Sequence, residues 1–214
     1  RSLRPRRLRR MAVVTADFRF RSLLLQAVFV SSLFVGSDFG DVTLAANQVL
    51  MQFLQITAYA LDGFAFAAEA IVGQAMGAKS RATLRRGAAV SSLWGGLSSL
   101  GMAAAFALAG PAIIDLMATA PEVRAEARVF LPWMVAAPLL GLASWMLDGI
   151  FIGATRTADM RNMMAVSFAV YVAAALALVP AFGNHGLWAA LLVSFVARGA
   201  TLGLRYPALE RAAA

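Results

Sequence analysis

Residues 44–73 read LAANQVLMQFLQITAYALDGFAFAAEAIVG, 30 residues with two charges and no strand-like alternation. In lipid every backbone N–H and C=O must be satisfied within the segment, so a run of this length reads as a membrane-spanning helix. As a straight helix it would be roughly 45 Å long, against a hydrocarbon core of about 30 Å, which predicts tilt or protrusion. Its polar residues are ordered. Gln48, Gln52, Gln55, Tyr59, Asp62, Phe66 and Glu69 follow one another at spacings of 4, 3, 4, 3, 4 and 3. That spacing draws one stripe down one helix face.

Working outward, five more apolar runs appear, at about 20–37, 87–117, 128–154, 159–182 and 184–205. The whole chain agrees: 61% of its 214 residues are hydrophobic, 14% are charged, and mean hydropathy is +0.74. The expected fold is therefore all-α, a polytopic membrane protein of six transmembrane helices. A basic tail is expected at 1–19, the six-helix unit at 20–206 and a short tail at 207–214. The opening RSLRPRRLRR before an apolar run has the outline of a signal peptide. With five more apolar runs following, it reads better as a basic flank. The chain begins at Arg1 rather than Met, which reads as a fragment or a processed product.

The net charge of +8 would suggest nucleic acid in a soluble chain. Here the basic residues fall between apolar runs, so no nucleic-acid partner is expected. The six-span reading places 17 of the 19 basic residues on one side, from Arg1, Arg4 and Arg21 through Lys79 and Arg156 to Arg205 and Arg211. Arg198 is counted with them. Only Arg124 and Arg128 fall on the other side, beside Glu122 and Glu126. The positive-inside rule then puts both termini in the cytoplasm of a bacterial inner membrane protein.

Ionisable groups inside apolar spans are expensive and default to functional candidates. Asp62 is the deepest acid, Asp148 lies about two turns inside the fourth span, and Glu69 lies nearer the cytoplasmic end of the second. These three are the candidate cation or substrate ligands. A polar stripe is costly against lipid and is expected to face the bundle interior or a water-filled cavity; Gln48, Gln52, Gln55 and Tyr59 read either as glue between helices or as the lining of a cavity, and two carboxylates on the stripe favour the cavity. Arg198, within the last span, needs a partner or must snorkel, and Asp148 or Asp62 is the candidate. Asp38 and Asp115, at outer ends, read as solvated. Short segments repeat: Leu61-Asp62-Gly63-Phe64 echoes Leu147-Asp148-Gly149-Ile150. Small residues recur at Gly87, Ser91, Gly95, Ser99, Ala103 and Ala107, and at the pairs Gly149–Gly153 and Gly199–Gly203, which predicts close helix packing. Pro138 predicts a kink in the fourth span, and Pro121 suits a helix start.

Enzyme chemistry finds no footing. There is no cysteine, one histidine (His185, in a short outer loop), and no nucleophile-elbow, zincin, phosphate-loop or dinucleotide motif. Asp62 and Asp148 would serve an intramembrane aspartyl protease only with a protease motif beside them. No enzyme, no cofactor and no resident metal beyond a coupling Na⁺ is expected.

Leu44-Ala45-Ala46-Asn47-Gln48, Leu61-Asp62-Gly63-Phe64-Ala65-Phe66-Ala67-Ala68-Glu69, Val72-Gly73-Gln74-Ala75, Leu147-Asp148-Gly149-Ile150-Phe151-Ile152-Gly153-Ala154-Thr155-Arg156 and Met160-Arg161-Asn162 resemble the multidrug and toxic compound extrusion (MATE) family, its DinF-like branch above all. The resemblance runs over nearly the whole chain. It implies the second of two six-helix lobes, the first being absent. It further implies export of bulky, often cationic small organic compounds by alternating access, driven by H⁺ or Na⁺. In proton-coupled members the first lobe carries an important intramembrane Asp. Na⁺-coupled members use an acid in the seventh span with one in the tenth. Asp148 matches the tenth-span stretch, whereas the first span here offers Gln26 in its interior and Asp38 only at its outer end. The rival expectations are a membrane-embedded structural or assembly subunit, or a half-transporter that dimerises with itself.

Overall fold

The computed structural model describes residues 5–213; Arg1 and Arg4 lie outside the described residues. Six helices follow one another: α1 Pro5–Ser37, α2 Asp41–Gly77, α3 Arg81–Met117, α4 Pro121–Gly153, α5 Thr157–Phe182 and α6 Asn184–Ala212. All six are long and apolar enough to cross a membrane. Connections of one to three residues fold them up and down.

The helices overrun the apolar spans. Residues 5–19, expected as a tail, form about four further turns of α1. Arg, Leu, Met and Ala dominate that segment, and all favour a helix whatever their hydropathy. Residues 207–212 likewise continue α6. The expected loop around His185 shrinks to Gly183, whose φ of 64° suits glycine; Asn184, His185 and Gly186 already belong to α6. α4 begins at Pro121 and runs through Pro132 and Pro138 without a break.

α4 sits at the centre, packed on α2, α3 and α6, while α1 lies mainly against α5. Small residues set these approaches. Gly149 and Gly153 lie directly on the α2 backbone at Ala65 and Glu69. Gly199 brings α6 onto Ala143 and Ser144. The α3 stripe buries Ser91, Gly95, Ser99 and Ala103, then passes to Phe106 and Gly110, leaving Ala107 exposed. Two apolar clusters result. One gathers Leu50, Phe53, Leu61, Phe130, Trp145, Trp188 and Phe195; the other gathers Val72, Leu84, Met146, Phe151, Met160 and Leu202.

Polar groups tie the ends together. Asn47 and Asn184 exchange two side-chain hydrogen bonds of 2.8 Å, and Trp188 donates to Asn47 at 3.1 Å, clasping α2 to α6. Ser31 and Ser32 of α1 meet the Tyr171 hydroxyl of α5. At the same end as the α3–α4 connection, Asp115 pairs with Arg128 at 2.7 Å.

A buried charge layer and an exposed polar face

Asp148 and Arg198 meet between the two apolar clusters, only 3% and 2% exposed. Neighbouring residues of both helices belong to different clusters: Trp145 and Phe195 to one, Ile150 and Leu202 to the other. Asp148 Oδ2 accepts a hydrogen bond from Arg21 Nη2 at 2.8 Å and lies 3.6 Å from Arg198 Nη2. Arg198 also donates to Ser144 Oγ at 3.1 Å and rests its other amino group on the Met164 sulfur. Asp148 Oδ1 and the Nε atoms of Arg21 and Arg198 are buried without a hydrogen-bond partner.

Arg21 is the residue that sequence reasoning missed. The sequence groups it with the basic flank, because it stands two residues after Arg19 at the very start of the first apolar run. In the structure α1 carries it inward to the side of Asp148. Of the basic residues assigned to one side, Arg21 and Arg198 therefore belong to the interior. Asp17 was missed for the same reason; it is buried, with Arg161 at 2.7 Å and Thr157 at 3.1 Å.

Asp62 is half-buried and lies within electrostatic reach of Arg21, Asp148 and Arg198. The echo noted between Leu61–Phe64 and Leu147–Ile150 thus falls on packed helices, with Gly149 seated on α2 one turn beyond Asp62. Glu69 is half-buried farther along the same face. Neither Asp62 nor Glu69 has a hydrogen bond or ion pair among the described residues.

The remainder of the α2 stripe does not face the interior of this bundle. Gln48, Gln52 and Gln55 are exposed, Tyr59 is 75% exposed and Phe66 66%. The helix turns Leu50, Phe53, Leu54, Thr57, Leu61 and Ala65 inward instead. Hydrophobic residues outnumber the polar ones and claim the core; a stripe pattern reports a face, not its partner. A groove of about 390 Å³ between α1 and α2 is lined by Gln48, Gln52 and Gln55 with Phe29, Leu33 and Met51. On the other flank, Gln48 and Gln52 border a cavity of about 560 Å³ that reaches the α3–α4 connection. Gln26 is exposed on α1, and His185 accepts a hydrogen bond from Trp133 at 3.1 Å.

The family model described as MatE matches residues 20–178 of this sequence. The chain belongs to the MATE family. It is 41% identical over 194 residues to DNA damage-inducible protein F of Escherichia coli (strain K12), covering 91% of this chain and 42% of that protein. It shares its fold with a MOP superfamily transporter from Pyrococcus furiosus whose binding pocket is described as of reverse polarity. The TM-score is 0.82 at 14% identity, over 92% of this chain and 44% of that one. A MATE structure in the bent conformation matches equally, at TM-score 0.82 and 14% identity, covering 92% and 44%. The chain thus spans less than half the length of these relatives. MATE proteins are membrane transporters of small molecules rather than enzymes, and they rely on ion coupling without a cofactor. This chain is a multi-pass membrane protein of that family.

Proposed function

We propose that the chain is the C-terminal lobe of a cation-coupled efflux transporter, exporting bulky, often cationic organic compounds by alternating access. The observation that carries this reading is the exposed face of α2, where amides and an aromatic ring lead down to a half-buried acid beside a charge layer. A polar face of this kind is costly against lipid and suits a passage shared with a second lobe. Gln48, Gln52, Gln55 and Tyr59 would line that passage, the tyrosine ring offering a cation–π surface.

Arg21, Arg198, Asp62 and Asp148 carry two positive and two negative formal charges. Binding H⁺ or Na⁺ at Asp62 adds one positive charge to this balance. Arg21, the more exposed of the two arginines, is then the group that can leave Asp148. Coupling needs this sort of difference, a carboxylate whose occupancy differs between the two facing states. Glu69 extends the acidic path toward the end that carries the termini, which the charge bias assigns to the cytoplasm of an inner membrane protein.

The test is drug resistance in an efflux-deficient bacterium. The chain alone is expected to give none, and the chain joined to a matching first lobe is expected to restore export of cationic dyes. Resistance from the chain alone, with a dimer in detergent, would overturn the two-lobe reading in favour of a self-dimerising half-transporter. A fusion that folds but exports nothing would favour an assembly role.

A further inference from the structure

Where the first turns of α1 pass the α4–α5 connection, the two flank an open pocket of about 480 Å³. Arg6, Arg9 and Arg10 line it from α1, and Arg156 from the connection. The offsets of three and four put the α1 arginines on one helix face. Their charge is poorly answered from within. Asp17 and Asp159 also line the pocket, but Asp17 is held by Arg161 and Thr157, and Asp159 pairs with Arg156 at 3.2 Å. Arg10 donates to the Thr155 hydroxyl at 3.2 Å. Arg6 and Arg9 pair with nothing among the described residues. The first turn of α5 opens here too, and no side chain caps it.

Arginines on a merely solvated surface would spread apart, whereas these converge from two elements on one concavity. Like charges gathered in this way favour an anion, and guanidinium groups suit phosphate. The level of the pocket identifies the source. The apolar run of α4 ends at Ala154, and the pocket begins at Thr155. Beside it, α1 exposes Leu8, Met11 and Val13 among its arginines, the pattern of a helix lying at the boundary of acyl chains and headgroups. We propose that this pocket binds the phosphate of an anionic phospholipid headgroup, tying the start of α1 to the α4–α5 connection. Basic pockets between transmembrane helices commonly take such headgroups. The inference concerns lipid and does not depend on the transport reading.

The experiment is native mass spectrometry of the chain released from nanodiscs of phosphatidylglycerol or of phosphatidylcholine. Retained phosphatidylglycerol, and no retained phosphatidylcholine, is expected. A variant carrying Arg6→Gln, Arg9→Gln and Arg156→Gln should lose it roughly tenfold more than a variant with Arg7→Gln, Arg19→Gln and Arg86→Gln, which removes the same charge outside the pocket. Arg9→Gln alone, at an unpaired exposed residue, should lower retention without threatening the fold. Equal loss in the two triple variants would reduce the effect to general surface charge and overturn the proposal. So would displacement of the lipid by millimolar inorganic phosphate, which would mark the pocket as a site for a soluble anion.

Discussion

Asp148 gives one oxygen to two arginines and leaves the other unbonded, so its replacement is felt by both guanidinium groups, the buried Arg198 and the partly buried Arg21. Asp148→Asn should leave two guanidinium groups without their bonded counter-charge, at a cost of about 3–5 kcal/mol. Melting temperature and purified yield should fall accordingly. Adding Arg198→Gln should recover part of the loss, and adding Arg21→Gln most of the rest, since each removes an unanswered charge. Asp62→Asn behaves differently: the acid has no bonded partner, so stability should hold within about 0.5 kcal/mol. With a first lobe joined, efflux into vesicles should nevertheless drop at least tenfold. Near-normal efflux would remove Asp62 from the coupling path. The two buried members of this layer were legible in the sequence, because an acid and an arginine inside apolar runs stand out. Arg21 and Asp17 were not, since both lie beside basic residues that read as a flank. Only the length of α1, which hydropathy does not register, carries them inward.

Between elements, the decisive contact is α4 on α2. Gly149 touches the α2 backbone at Ala65, so any larger residue must push the two helices apart. Gly149→Val should destabilise the bundle by about 1–3 kcal/mol, the usual cost of overpacking. Gly101→Ala, in α3 with nothing within 4 Å, should be neutral or slightly stabilising. Thermal unfolding in detergent compares the two; equal effects would mean that the close approach is not structural. Gly149, Gly153, Gly199 and most of the α3 small-residue stripe could be read in advance because close helix packing requires small residues; Gly203 departs from that expectation, exposed and with only the Leu147 side chain nearby. The partner of each stripe could not, because spacing along one helix does not name the helix opposite. For this reason the spacing of the α2 amides predicts an interior or a cavity without naming whose, and this bundle leaves that face outside.

On the scale of the whole molecule, six helices and their up-down order follow from run lengths and short connections. Orientation is the remaining expectation. Reporter fusions after Lys79 and Arg156 should report cytoplasm, and fusions after Glu122 and His185 the outside, by the positive-inside rule. A periplasmic signal at Lys79 would reverse it. The chain contains no cysteine, so single cysteines can be read without background. In a two-lobe protein, Gln52→Cys and Tyr59→Cys should react with a membrane-impermeant maleimide and be protected by a cationic substrate. Leu108→Cys, on an outward face of α3, should not react. Unreactive α2 positions would place that face against lipid or a tight partner.

The Asn47 clasp also sets a schedule for biosynthesis. Its two partners, Asn184 and Trp188, come 137 and 141 residues later in the chain. At the ribosome's pace of about 5–20 residues per second, the α2 amide waits on the order of ten seconds before either partner exists. Asp148 waits in the same way for Arg198, though Arg21 is already at hand. A nascent chain arrested before Gly183 thus holds the Asn47 amide without either of these partners. The last helical hairpin to be made, α5–α6, is the one that closes the Asn47 clasp.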